Sequence, residues 1–275
     1  MAGRYPGPER WKRLIQALHT FTLPTHMDLG LSGRVALVTG ASKGIGRGIA
    51  EALAAEGARV AISSRSPEGI EATAAEIGAE PFVHDSEDLD AVPELLAGVE
   101  RGLGPIDIFV ANTGGPPAGP NPLGFDREQW SGAYRTLVLA PMAIAERVVP
   151  GMRERGFGRI VSVSSTAVRE PIPGLILSNS HRAALLGALK TLAREVARDG
   201  VTVNSVLPGR IATDRTIQLS GSREAAKRAA AEQVPAGRLG TVEELAAVAT
   251  FLCSERASYL TGTTVQVDGG LTRAV

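Results

Sequence analysis

The stretch RVALVTGASKGIGRGIAEALAAEG, residues 34–57, changes periodicity across one short loop. Its first part, RVALVTG, is an apolar run with β-branched residues that ends in glycine, the pattern of a strand. Its second part, GIGRGIAEALAAEG, spaces its apolar residues as a helix does and stops at Gly57. Gly40, Gly44 and Gly46 mark the joint. Glycines there permit a tight turn and let backbone N–H groups come close to a pyrophosphate, which the positive end of the following helix favours. The spacing is GxxxGxG, so neither GxGxxG nor a GK[ST] phosphate loop is present. A glycine-rich loop alone is often only a turn. Its position between the first strand and the first helix makes this one informative.

The alternation continues outward from that stretch. RVAISS (59–64), PFVHD (81–85), IDIFVAN (106–112), GRIVSVSS (158–165), VTVNSVLPG (201–209) and TTVQVDGG (263–270) read as strands. EGIEATAAEIG (68–78), LDAVPELLAGVERG (89–102, with Pro93 inside it) and VEELAAVATFLCSE (242–255) read as helices, as do longer regions near 126–155 and 176–199. Strands alternating with helices of this length form βαβ units and a parallel sheet, which makes the chain α/β. The strands are apolar throughout, as expected when helices cover both faces. No repeat, low-complexity tract or linker follows residue 33, so 34–275 is expected to be one domain. Ligands of such sheets bind beyond the carboxyl ends of the strands.

Composition narrows the partners. Lys plus Arg and Asp plus Glu are both 29 among 275 residues, so no overall field attracts nucleic acid, and any anion site is local. The single cysteine, Cys253, excludes an intrachain disulfide and a multi-cysteine zinc site, and no metal site is expected. Its flanks, TFLCSE, point to packing rather than catalysis. No apolar run approaches the ~18–20 residues of a membrane span, and no secretory h-region is present, so a cytoplasmic setting is expected. Residues 1–33 stand apart as an N-terminal extension. ERWKRLIQALHTF puts Trp11, Leu14, Ile15 and Leu18 on one helical face. Either it docks on a membrane surface or a partner, or it is an accessory helix or poorly ordered arm. Met27 opens MDLGLSGRVALVTG, a plausible true start, with the first 26 residues then an upstream reading of the gene.

Several dispersed motifs now stand in order: TGASKGIG (39–46), Asn112 with Gly114, VSVSS (161–165), VNSVLPGRIAT (203–213) and YLTGTTVQVDGG (259–270). Together they resemble the short-chain dehydrogenases/reductases over about residues 31–272. The resemblance implies a Rossmann-type, doubly wound parallel sheet of about seven strands, a nicotinamide dinucleotide, and usually a homotetramer. It implies cofactor contacts at Thr39, Gly40, Ser42, Lys43, Gly44, Ile45 and Gly46. Pro208, Gly209, Ile211 and Thr213 match the segment that meets the nicotinamide amide and the diphosphate. Asn112 matches a residue that holds the central sheet and lines the cofactor cleft. Asp85 matches a residue that bonds the adenine amino group, or it caps a helix starting near Ser86.

The second strand ends Ser63-Ser64-Arg65, without a carboxylate to bond a ribose 2′-hydroxyl. Arg65 and Lys43 are placed to receive a 2′-phosphate, which favours NADP(H); the alternative is that both are merely solvated.

The catalytic positions depart from the family. Reduction of a carbonyl needs a proton for the forming alkoxide. Family members use a tyrosine, a lysine four residues on, a serine thirteen residues before the tyrosine, and an upstream asparagine. Ser165 is present. Thirteen residues on stands Ser178, four beyond that Arg182, and the asparagine position falls near Leu137. Arg182 retains a cation for ribose hydroxyls or an oxyanion. Ser178 is a shorter and weaker donor than tyrosine. His181 has a suitable ordinary pKa near 6.5 and is a candidate acid; otherwise it is a surface or interface histidine. The Pro/Gly-rich segments GGPPAGPNPLG (114–124) and REPIPGLIL (169–177) either shape an apolar substrate pocket or are rigid turns.

Three functions fit. The first is an NADP(H)-dependent oxidoreductase of small carbonyl or alcohol substrates, 3-oxoacyl-reductase-like, with a non-standard proton donor. The second is a dinucleotide-binding sensor or assembly subunit with little redox activity. The third, lyase, dehalogenase or epimerase chemistry, sits poorly with an intact glycine loop.

Overall fold

The computed structural model describes residues 27–274. Seven strands form one parallel sheet: β1 (Val35–Thr39), β2 (Arg59–Ser64), β3 (Glu80–Val83), β4 (Ile108–Ala111), β5 (Gly158–Val163), β6 (Val201–Pro208) and β7 (Thr264–Val267). Their order is β3-β2-β1-β4-β5-β6-β7. Succession reverses between β1 and β4, and the crevice of such a sheet lies there, beyond the carboxyl ends of the strands. The expected doubly wound α/β fold is the one observed.

Helices α1 (Gly44–Ala55) and α2 (Pro67–Ile77) cover one face, and α3 (Val92–Leu103) lies on the other. Pro93 sits in the first turn of α3 rather than inside it, where its missing N–H costs nothing. The expected helical region 126–155 is continuous but not uniform. Its parts are α4 (Arg127–Tyr134), a wider π turn (Arg135–Leu139) and α5 (Ala140–Glu154). A capping box of Asp126 and Gln129 starts α4. In the π turn the Ala140 N–H reaches back five residues to the Arg135 carbonyl. Pro141 has no N–H to close an α turn onto the Leu137 carbonyl, so widening there is the low-cost solution.

Helix α6 (Ile176–Val196) packs beside α4 and the π turn and shares the core on the α3 face. Two helices follow β6 that the sequence pattern did not announce, α7 (Asp214–Ser220) and α8 (Arg223–Gln233), capped by Thr213 and Ser222. Helix α9 (Val242–Cys253) returns to the α1 face. Gly48 of α1 meets Val242 so closely that a Cβ at residue 48 would collide with its side chain.

The amphipathic segment around Trp11–Leu18 lies outside the described residues. Residues 28–33, set apart in the sequence from the domain, are seated on it. Leu31 is buried among Ile49, Leu53 and their neighbours, and the Leu29 carbonyl accepts from the Glu255 N–H. Cys253 is fully buried at the end of α9, and burial pushes its thiol up to about 12. Native protein is expected to leave a disulfide exchange reagent such as DTNB unreacted over the time in which urea-unfolded protein releases one equivalent of thiolate. Fast labelling of the folded state would contradict that placement.

Candidate active site

Three segments converge at the carboxyl ends of β1 and β4. Gly40 and Gly44 both adopt φ of +59°, a left-handed conformation that side chains disfavour. Gly46 is required by space. A Cβ there would stand 2.5 Å from the Gly40 carbonyl and 2.6 Å from Asn112 Nδ2. Asn112 Nδ2 donates to the Gly40 carbonyl at 2.9 Å and the Thr39 carbonyl at 3.3 Å, and Thr39 Oγ1 donates to the Asn112 carbonyl at 2.9 Å. The loop is thereby clamped to β4. No side chain caps α1, and its first turn holds no acidic residue. Its terminal N–H groups are free for an anion, the chemistry a dinucleotide diphosphate needs. The residues present therefore fit that cofactor.

Ser42 accepts through its carbonyl from Thr73 Oγ1 at 2.8 Å, which holds the loop against α2. Lys43 Nζ lies 3.2 Å from Asp214, with both side chains about three-quarters exposed. Arg65 is exposed after β2 and forms no ion pair among the described residues. Asp85 does not cap a helix. Its Oδ1 accepts from the Glu87 N–H in a loop, and α3 begins only at Val92. Beside it, His84 is buried, and desolvation holds its pKa below the usual value despite Asp88 and Asp85.

After β6, the Gly209 N–H donates to the Val267 carbonyl at 3.0 Å. Ile211 is buried and pairs with Gly240, and Thr213 Oγ1 caps α7. Arg215, in the first turn of α7, donates through Nη2 to the Pro116 carbonyl at 2.8 Å. This bond ties the segment after β6 to the loop after β4, over the cleft.

Beneath that tie, Arg182 and Leu137 line one cavity together with Thr39, Thr113, Ser162 and His84. Arg182 is anchored twice: Nη1 donates to the Val163 carbonyl at 2.7 Å and Nε to Ser178 Oγ at 3.1 Å. Burial, with a smaller contribution from the Arg215 charge, lowers Arg182 from 12.5 to about 10, which leaves it charged at neutral pH. Ser178 is buried on α6, and no hydrogen bond among the described residues uses its proton. Ser165 Oγ accepts from the Ala167 N–H, so its proton is free too.

His181 is occupied elsewhere. Its Nδ1–H donates to the Leu177 carbonyl at 2.7 Å, and its ring packs against Trp130 and Tyr134 with centroids 5.4 and 6.0 Å away. None of Ser165, Ser178 and His181 is among the residues lining the Arg182 cavity; of the three, Ser178 is the one bonded to Arg182. The residue that sequence reasoning passed over is Arg215. Its signal was a basic side chain two positions after Thr213, close behind a strand end. Among the described residues no group of His, Cys, Asp and Glu is placed to hold a metal ion, and no helix is long and apolar enough to cross a membrane.

A glycine loop clamped between two parallel strands, under an uncapped helix, defines a dinucleotide-binding α/β protein of the Rossmann type. The family pattern described as Enoyl-(Acyl carrier protein) reductase matches residues 40–272. The 3-oxoacyl-[acyl-carrier-protein] reductase of Haemophilus influenzae is 37% identical over 244 residues, 88% of this chain and 99% of that one. Gluconate 5-dehydrogenase of Gluconobacter oxydans is 36% identical over 254 residues, 90% of this chain and 98% of that one. Among solved structures, L-sorbose reductase of Gluconobacter frateurii, complexed with NADPH and L-sorbose, superposes with a TM-score of 0.83 at 33% identity, covering 90% of this chain and 100% of that one. The chain belongs to the short-chain dehydrogenase/reductase family of oxidoreductases.

Proposed function

We propose that the chain is an NADP(H)-dependent oxidoreductase that interconverts a small carbonyl compound and its alcohol, with Ser178 and Arg182 in place of the family's tyrosine and lysine. The overall reaction is ketone + NADPH + H⁺ → alcohol + NADP⁺. The bound cofactor supplies hydride to the carbonyl carbon. The observation that carries the reading is the Arg182 Nε–H···Oγ Ser178 bond. It orients the hydroxyl with its proton free, and the fixed cation behind it makes that proton easier to release. Ser165 offers a second hydroxyl proton to the carbonyl oxygen, and the proton given up is restored from solvent. Three observations support NADP(H) rather than NAD(H): no acid ends β2, exposed Arg65 forms no ion pair among the described residues, and the exposed Lys43–Asp214 pair is weak enough to open for a phosphate. The NADPH in the L-sorbose reductase complex points the same way. On the family likeness we include a homotetramer and a cytoplasmic setting in this reading. The exposed Tyr259 and Leu260 supply apolar surface for a subunit contact.

A second reading, dinucleotide binding with little redox activity, is favoured by one observation. Leu137 puts an apolar side chain into the cavity beside Arg182. NADPH fluorescence titration followed by NADPH absorbance with ketones, β-ketoesters and diketones separates the two. Binding with turnover of some member is expected. Binding with no turnover over the whole panel selects the second reading, and no binding of either pyridine nucleotide overturns both.

A further inference from the structure

Arg182 and Arg215 reach the cleft from different elements and meet across one loop. Arg182, on α6, lines the cavity together with Thr113. Three residues on, the Pro116 carbonyl holds Arg215 Nη2 at 2.8 Å. Arg215 Nε and Nη2 both lie 3.1 Å from where a Cβ on Gly115 would be, so the guanidinium sits close against a loop that a larger residue would crowd. Among the described residues neither arginine forms an ion pair, and Asp214 is turned to Lys43. Burial, and to a smaller extent the Arg215 charge, make the Arg182 cation costly to hold. A buried cation such as Arg182 is ordinarily matched by an anion, and Arg215 is the half-buried cation beside it with donors to spare. The diphosphate has its own seat on α1, so the missing charge is assigned to the substrate.

We propose that the substrate is an oxo acid, whose carboxylate is received by Arg215 while Arg182 and Ser178 face its carbonyl oxygen. This rests on the reductase reading above. Nη2 of Arg215 is held by Pro116, and Nη1 has only a 3.5 Å contact with Gln218. An edge of the fork therefore remains for the two oxygens of a monoanion, the geometry in which arginine binds carboxylates.

The test uses 2-, 3- and 4-oxopentanoate and their methyl esters, titrated calorimetrically into the full-length protein saturated with NADP⁺. The series moves the carbonyl relative to the carboxylate while keeping the chain constant. At least one acid is expected to bind about tenfold or more tightly than its ester, the worth of a charge-assisted hydrogen bond. Arg215→Leu is expected to erase that preference and leave ester binding unchanged. Arg215→Lys keeps the charge without the fork and is expected to retain part of it. NADPH affinity of both variants should stay within about threefold of wild type, because Arg215 is held by the Pro116 carbonyl and touches neither the glycine loop nor the first turn of α1. Equal binding of acid and ester throughout the series overturns the proposal. So does a preference that survives Arg215→Leu, or a loss of NADPH affinity in that variant. Failure of the reductase reading shows separately, as Arg215-dependent acid binding without NADPH consumption by any of the compounds.

Discussion

Gly46→Ala is expected to abolish NADPH binding at concentrations that saturate the wild type. The added methyl would stand 2.5 Å from the Gly40 carbonyl and 2.6 Å from Asn112 Nδ2. Neither neighbour can rotate away. The first is backbone, and the second is held by hydrogen bonds to two carbonyls. Relief requires the loop to shift and carries the amides of α1 with it. Losing two anion contacts of ~1.5 kcal/mol each corresponds to about a 100-fold rise in Kd. Gly44→Ala places its methyl in ordinary contact with Thr213 Cγ2 at 3.7 Å and is strained only by its φ of +59°, so it is expected to be milder. Fluorescence titration of both variants is the check. A Gly46→Ala dissociation constant within about threefold of wild type would show that the loop does not hold the cofactor.

Arg182→Gln is expected to lower kcat by about 10²–10³, the usual loss when a preorganised group facing developing negative charge is removed. Glutamine can still donate, but it carries no charge to stabilise an alkoxide or activate Ser178. The pH dependence separates charge from shape. Arg182 is held near 10, so the wild-type rate should fall as pH rises through that value and the guanidinium loses its proton. The glutamine variant has no such limb, and its residual rate should stay flat across the same range. An alkaline limb that persists in Arg182→Gln would assign the titration to another group. A complementary gain is expected from the double variant Ser178→Tyr with Arg182→Lys, which restores a phenol beside an ammonium at helical i, i+4 spacing. Reductase activity below that of the wild type would mean that the pocket no longer accommodates the family's own acid.

The sheet was legible because each strand carries its own signal and each functional loop follows a strand directly. That Ser178 and Arg182 share a helix face was legible from their spacing of four, whereas the 3.1 Å bond between them is known only from the structure. Helices α7 and α8 were not. Asp214–Ser220 is too short for a recognisable apolar stripe, and Arg223–Gln233 buries only Ala226 and Ala230, residues that leave no periodic mark. Thr213 and Ser222, both followed by acids, were the available signs. Tertiary contacts decided the rest. His181 has the right chemistry for an acid, yet its ring is occupied by Trp130 and Tyr134, about fifty positions earlier in the chain. Arg215 meets Pro116 across ninety-nine positions, a distance over which local pattern carries no information.

The widened turn at Arg135–Leu139 has one more consequence. A surplus residue in a helix advances everything downstream by about 100° of rotation. Trp130 and Tyr134, which face His181, lie upstream of that offset, and Ile144, Val148 and Met152, which face the sheet, lie downstream. The two sets are in phase with their separate partners only because the extra residue is there. Trimming it to regularise the rod would turn one set or the other towards water, so the irregular turn works as a fixed angular coupling between the aromatic contact on α6 and the interior of the protein.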